Sequence, residues 1–143
     1  MNGQGGVMVR RFPLWDQLPS ALHGVILNIH WDIGRLHGLT GLREIVVPVR
    51  DLSWHLHLPF WSIDGMPFRV SPFEVAQTPD RYRAQWDRTM AADLRFPPHV
   101  RTDATRDIVI LDGVHRLLKA TVLGQEALTV RLVTKDHLQS IAL

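Results

Sequence analysis

The sequence contains no cysteine. That excludes a disulfide scaffold, a zinc ribbon, thiol catalysis and any Cys-based redox role. Long apolar runs are also missing, and none approaches the ~20 residues that a helical membrane span needs. Met1-Asn2-Gly3-Gln4-Gly5-Gly6 lacks the charged-then-apolar order of a signal peptide. The expected compartment is the cytoplasm, with no membrane partner. Neither sign of charge dominates: 16 basic and 14 acidic side chains leave a net +2. No segment carries the dense basic stripe of a nucleic-acid footprint, so nucleic acid is not an expected partner. What remains is an ordinary globular composition, 45% hydrophobic and 21% charged, in 143 residues. That length suits one compact unit.

Punctuation along the chain predicts a mixed α+β architecture. Residues 1–43 read as a Gly-rich tail followed by an amphipathic helix. In that helix Leu18, Ala21, Leu22, Val25, Ile26, Ile29, Ile33, Leu36 and Leu39 form one stripe, with Asp16 as the N-terminal cap. The stripe needs a cover, so a homodimer through this helix is an expectation. Residues 44–143 read as the main domain. Ile45–Val49 is a strand with Pro48 at an edge or an end. Ser71-Pro72-Phe73-Glu74 opens a short helix with a capping box, and a second helix runs from Pro79 to about Asp93. His99–Arg101 and Ile108–Leu111 are short strands, Val114–Leu123 is a helix, and Ala127–Val133 is the last strand. Thr134 can cap a final helical turn. The strands are too scattered for a regular alternation of strand and helix.

Chemistry concentrates where the Ile108 strand meets the helix. Asp112-Gly113 leads directly into a first turn carrying His115 and Arg116. Early backbone N–H groups of a helix lack intrahelical partners, and the dipole is positive there. Glycine admits a ligand close to the backbone, and Arg supplies a forked cation. Such a bond is worth ~1.5–3 kcal/mol and the dipole about 1 kcal/mol. The simpler reading of the same residues is a tight strand-to-helix turn.

Leu111-Asp112-Gly113-Val114-His115-Arg116-Leu117-Leu118-Lys119-Ala120, followed by Leu123-Gly124 and the strand Leu128–Val133, resembles the signature of the ParB/sulfiredoxin-like superfamily. Val46-Val47-Pro48-Val49-Arg50-Asp51-Leu52 resembles that family's first strand and turn. The resemblance covers roughly residues 44–135. It implies a small mixed sheet with helices and a nucleotide whose phosphates sit on Asp112, Gly113, Val114, His115 and Arg116. It further implies ATP or ADP with Mg²⁺, and phosphoryl transfer to a small molecule or nucleotide hydrolysis. A non-catalytic nucleotide- or phosphometabolite-binding regulatory module is the alternative.

Departures narrow the choice. Val114 stands where sulfiredoxins carry Cys, so sulfinic acid reduction is excluded. The partition proteins of the family continue into a DNA-binding region and a dimerisation tail, and residues up to Leu143 supply neither, so partition is not expected. Free serine kinases of this fold use an acidic base after the first strand. Here that loop offers Asp51 and Asp64, with His55 and His57 between them, as catalytic candidates. If extended, His55 and His57 point to one side, where they line a pocket, ligate a metal or pack against Trp54 and Trp61; no third ligand stands nearby, so packing or substrate contact is the simpler reading. In the family, the loop carrying them lies across the site from the His-Arg motif, so one of them is expected to face the phosphates. His23, His30 and His37 recur every seven residues, two helical turns or ~10 Å apart, too far to share a metal. They read as a flank of the first helix. His99 sits on a strand near the motif strand, where a contact with the nucleotide base or substrate is one reading and an exposed position the simpler one.

Overall fold

The computed structural model describes residues 9–143. It is a small α+β structure with six α-helices and a four-stranded mixed sheet. In chain order the elements are α1 (Ile33–His37), β1 (Arg43–Pro48), α2 (Val49–Leu52), β2 (Trp61–Ile63) and β3 (Met66–Val70). Then follow α3 (Pro72–Gln77), α4 (Arg83–Ala91), β4 (His99–Asp103), β5 (Asp107–Asp112), α5 (Val114–Val122), β6 (Ala127–Leu132) and α6 (Lys135–Ile141).

The main sheet has the order β1-β6-β4-β5, and β2 and β3 form a separate hairpin. β1 pairs antiparallel with β6 along its whole length, from Arg43 opposite Leu132 to Pro48 opposite Ala127. β4 and β5 form an antiparallel hairpin from His99 opposite Asp112 to Asp103 opposite Asp107. These two pairs join only where His99 meets Arg131 and Val100 meets Leu132, in parallel. Two flanking bonds complete the join: the Arg131 N–H donates to Pro98 O, and the Val133 N–H to Val100 O, each at 2.8 Å. The sheet is thus two staggered ribbons joined by a short seam. Pro48 tolerates its place because it ends a strand at the sheet edge, where a missing N–H costs least.

Alternation decides which face is covered. Leu128 and Val130 of β6 are buried, whereas Ala127 and Thr129 face outward. The buried face packs with Leu52, Leu56, Val75, Leu117 and Leu118 into the main core. Each fully buried aliphatic side chain contributes ~1.5–3 kcal/mol of transfer free energy. Local signals act as their chemistry dictates. Ser71 and Glu74 close a reciprocal capping box on α3, and Thr134 does the same for α6 with His137 in the Glu position. Lys119 Nζ donates to the Met90 and Ala92 carbonyls and so satisfies the end of α4.

The long amphipathic helix expected over residues 18–39 is not formed. Instead there are 3₁₀ turns at Trp15–Gln17 and Ser20–Leu22, irregular chain to Asp32, and the single short helix α1. Asp32, not Asp16, supplies the cap, accepting from the Arg35 N–H at 2.8 Å. Gly24 adopts φ +79°, which interrupts any helix there. Long-range bonds take up the backbone: the His30 N–H donates to Arg10 O, the Leu143 N–H to His30 O, and the Asp32 N–H to Ile141 O. The stripe splits accordingly. Leu18, Leu22 and Val25 are buried under this wrapping segment, while Leu36 joins Val133 and Ile141 in a second small core. With those residues buried within the chain, the continuous apolar helix face on which a homodimer was expected does not exist. Arg101, buried on β4, fastens the segment to the sheet by donating from Nη2 to the Gly24 and Val25 carbonyls. No helix among the described residues is long and apolar enough to cross a membrane.

Candidate functional site

The β4–β5 register sets His99 directly opposite Asp112 at the seam of the sheet. One residue later Gly113 turns the chain into α5 at φ +126°, a conformation that side chains rarely adopt. A Cβ there would stand 2.6 Å from the Pro98 Cβ, so glycine is required twice over. Gly113 caps α5 with no side-chain partner, and its carbonyl accepts the first helical bond, from the Leu117 N–H at 3.0 Å. The amides of Val114, His115 and Arg116 precede that bond and belong to the open, positive end of the helix.

A cleft of about 490 Å³ opens in front of this turn, lined by His37, His99, Asp112, His115, Arg116 and Arg131 among others. Arg116 is folded back rather than extended into it. Its Nη1 donates to the Phe96 and Pro97 carbonyls at 2.9 and 3.0 Å, and its Nη2 to Asp112 Oδ2 at 2.9 Å. These bonds use three of five guanidinium protons. The Nε–H and one Nη2 proton have no partner among the described residues. His115 donates from Nε2 to Gln85 Oε1 at 2.9 Å and stacks on Trp61 with centroids 4.1 Å apart. Burial, assisted by nearby Arg88, pushes its pKa down to about 4, so the ring is a neutral donor near pH 7. Arg131 donates from Nε to Glu44 Oε2 across the β1–β6 pair.

His37, His99 and Asp112 form a tight group. His37 Nε2 lies 2.9 Å from Asp112 Oδ2, and one ligating atom from each of the three falls within 4.8 Å of the others. The His37 and His99 rings are 5.6 Å apart. His99 is only 4% exposed, and its Nδ1 is buried with no hydrogen-bond partner among the described residues. Burial lowers its pKa, with Asp112 opposing and His37, Arg131 and Arg116 reinforcing the shift.

Of the motif residues, Asp112, Gly113, His115 and Arg116 line this cleft, and Val114 does not. Val114 turns away from this cleft, packs on the core and lines the neighbouring groove. The catalytic candidates do not gather. Residues 53–57 form a 3₁₀ turn rather than an extended strand, which sends His55 and His57 to different surroundings. His55 is fully buried beneath Trp54, where its Nδ1–H donates to Leu52 O at 2.7 Å and its Nε2 accepts from the Ile110 N–H at 3.0 Å. Both ring nitrogens are spent on backbone, so His55 does not face the cleft. His57 is exposed against Phe73 of α3. Asp51 lies in a separate groove with Trp54 and Arg106, and Asp64 at the β2–β3 turn beside Arg81 and Arg88. Neither lines the cleft.

The site residues that the sequence did not single out are His37, Gln85 and Arg131, and His99 is buried rather than exposed. The Mg²⁺ expectation meets a nitrogen-rich neighbourhood: Asp112 has two imidazoles beside it, and the other lining carboxylate, Asp93, is held by Arg95. Mg²⁺ prefers all-oxygen coordination and would be carried mainly by a ligand's own phosphates. No family model, no curated protein and no solved structure matches this chain.

Proposed function

We propose that the cleft at the start of α5 binds the phosphate groups of a nucleotide or phosphorylated metabolite, as the ParB/sulfiredoxin resemblance implies. The observation that carries this is the conjunction at one turn: a Cβ-free Gly113, the unpaired amides of Val114 to Arg116, and a mouth flanked by Arg116 and Arg131. Arg116 keeps its Nε–H and one Nη2 proton for a ligand after its structural bonds. Transfer or hydrolysis of a terminal phosphoryl group mainly requires positioning and charge stabilisation. Any base for it comes from the cleft lining rather than from Asp51, Asp64, His55 or His57. That scatter of the expected bases favours the second reading, a binding module without turnover.

Calorimetry with a panel of nucleoside di- and triphosphates, with and without Mg²⁺, tests the proposal. One class of ligand should bind saturably, and Arg116→Ala should weaken it at least tenfold while the variant keeps a cooperative melt. Equal affinity in a folded Arg116→Ala protein overturns the phosphate site. Release of ADP or phosphate with time separates an enzyme from a binding module.

A further inference from the structure

We infer that His37, His99 and Asp112 hold one borderline divalent transition-metal ion, such as zinc, with its remaining coordination positions open to the cleft. Two imidazoles and one carboxylate are the donor set of open zinc and non-haem iron centres, and softer than Mg²⁺ or Ca²⁺ sites prefer. The spacing is close to what a metal needs. Two ligands about 2.0–2.1 Å from zinc at tetrahedral angles stand ~3.3 Å apart. His37 Nε2 and Asp112 Oδ2 are already 2.9 Å apart, and one ligating atom from each of the three lies within 4.8 Å of the others.

Burial supplies an independent indication. His99 is 96% buried and yet its Nδ1 has no hydrogen-bond partner among the described residues, an unfavourable arrangement unless a ligand fills it. His99 itself lines the cleft, so an ion seated beside Asp112 lies within reach of its ring. The three donors come from separate elements, the end of α1, the start of β4 and the end of β5, and the hairpin register fixes two of them face to face. Arg116, bonded to Asp112 Oδ2, orients the carboxylate as an outer-sphere partner. A metal at His37 Nε2 would replace the contact that this nitrogen now makes with Asp112 Oδ2. A divalent ion on two neutral imidazoles and one carboxylate keeps one net positive charge. That charge faces the same mouth as Arg116 and Arg131, so an anion or water would complete the coordination.

The metal site stands whether or not a phosphate ligand joins it, and the test keeps the two apart. The full chain, stripped with EDTA, is titrated with Zn²⁺ in phosphate-free buffer by calorimetry, with metal content counted by mass spectrometry. One ion per chain is expected, with Mg²⁺ unable to compete. His37→Ala should weaken Zn²⁺ binding at least tenfold, as should Asp112→Asn, whereas His30→Ala and His57→Ala should not change it. The His37 side chain is 54% exposed, so its variant has little reason to unfold. Zn²⁺ should raise the melting temperature of the wild type and not that of His37→Ala. Absence of saturable binding, or equal Zn²⁺ affinity in His37→Ala and wild type, overturns the site. Nucleotide binding that persists in EDTA while Zn²⁺ binding fails would overturn the metal alone.

Discussion

His55 and His99 are both sealed imidazoles, at 0% and 4% exposure, and the fold treats them in opposite ways. His55 is fully satisfied: it donates to a carbonyl on one side and accepts a backbone N–H on the other, bridging Leu52 to the middle of β5. His99 starts β4, opposite Asp112 at the end of β5 rather than its middle, and its Nδ1 has no hydrogen-bond partner among the described residues. A buried histidine whose two nitrogens are spent belongs to the scaffold. One with a nitrogen unspent, beside a carboxylate and a second imidazole at a cleft, is placed for a ligand.

The largest effect should come from removing the satisfied ring. His55→Ala deletes a buried ring and strands the Leu52 carbonyl and the Ile110 amide, each worth ~1–3 kcal/mol. We expect a loss of about 4 kcal/mol in urea unfolding. A loss below ~1 kcal/mol would erase the contrast. Acid gives the next effect. Burial pushes the His55 pKa down to about 4 from the usual 6.5, so the unfolded chain takes up the proton first as pH falls. Stability from this group is complete above pH 6.5 and is lost as pH falls towards 4, by ~3 kcal/mol in all. His115, shifted the same way, steepens the fall. Unfolding midpoints at pH 7.5 and 4.5 measure it, and equal midpoints would show that neither ring is neutral by burial. The smallest effect belongs to the other member of the pair. His99→Leu, assayed without metal, removes the orphaned nitrogen while keeping apolar volume, and should change stability by less than ~1 kcal/mol. A cost matching that of His55→Ala would place His99 in the scaffold too.

Much of the second half of the chain was legible because its signals are local. Ser71 with Glu74, Thr134 at the head of α6, and Gly113 between β5 and α5 each act within a few residues of themselves. The wrapping segment was not legible, because three-and-four spacing of Leu18, Leu22, Val25 and Leu36 records only that they are buried. Whether one helix or an irregular wrapping segment buries them is decided by partners over a hundred residues away, such as Ile141 and Leu143. His55 and His57 were misread for a related reason: their shared side assumed an extended chain, and a 3₁₀ turn breaks that alternation. In the cleft, Asp112 through Arg116 could be found by motif, and His99 opposite Asp112 follows once β4 and β5 are taken as a hairpin. His37 and Arg131 enter through tertiary contacts alone, and nothing adjacent to them in sequence marks either.

The seam between the two ribbons has a mechanical consequence. A sheet that is continuous along β1–β6 and along β4–β5, but stitched across by two residue pairs and their flanking bonds, is most compliant along that stitch. His99 and Asp112 stand on one bank and Arg131 on the other, so a guest bound by all three ties the banks together. A ligand held by all three would resist any sliding of one ribbon along the other, so the stiffness of the sheet would report whether the cleft is filled.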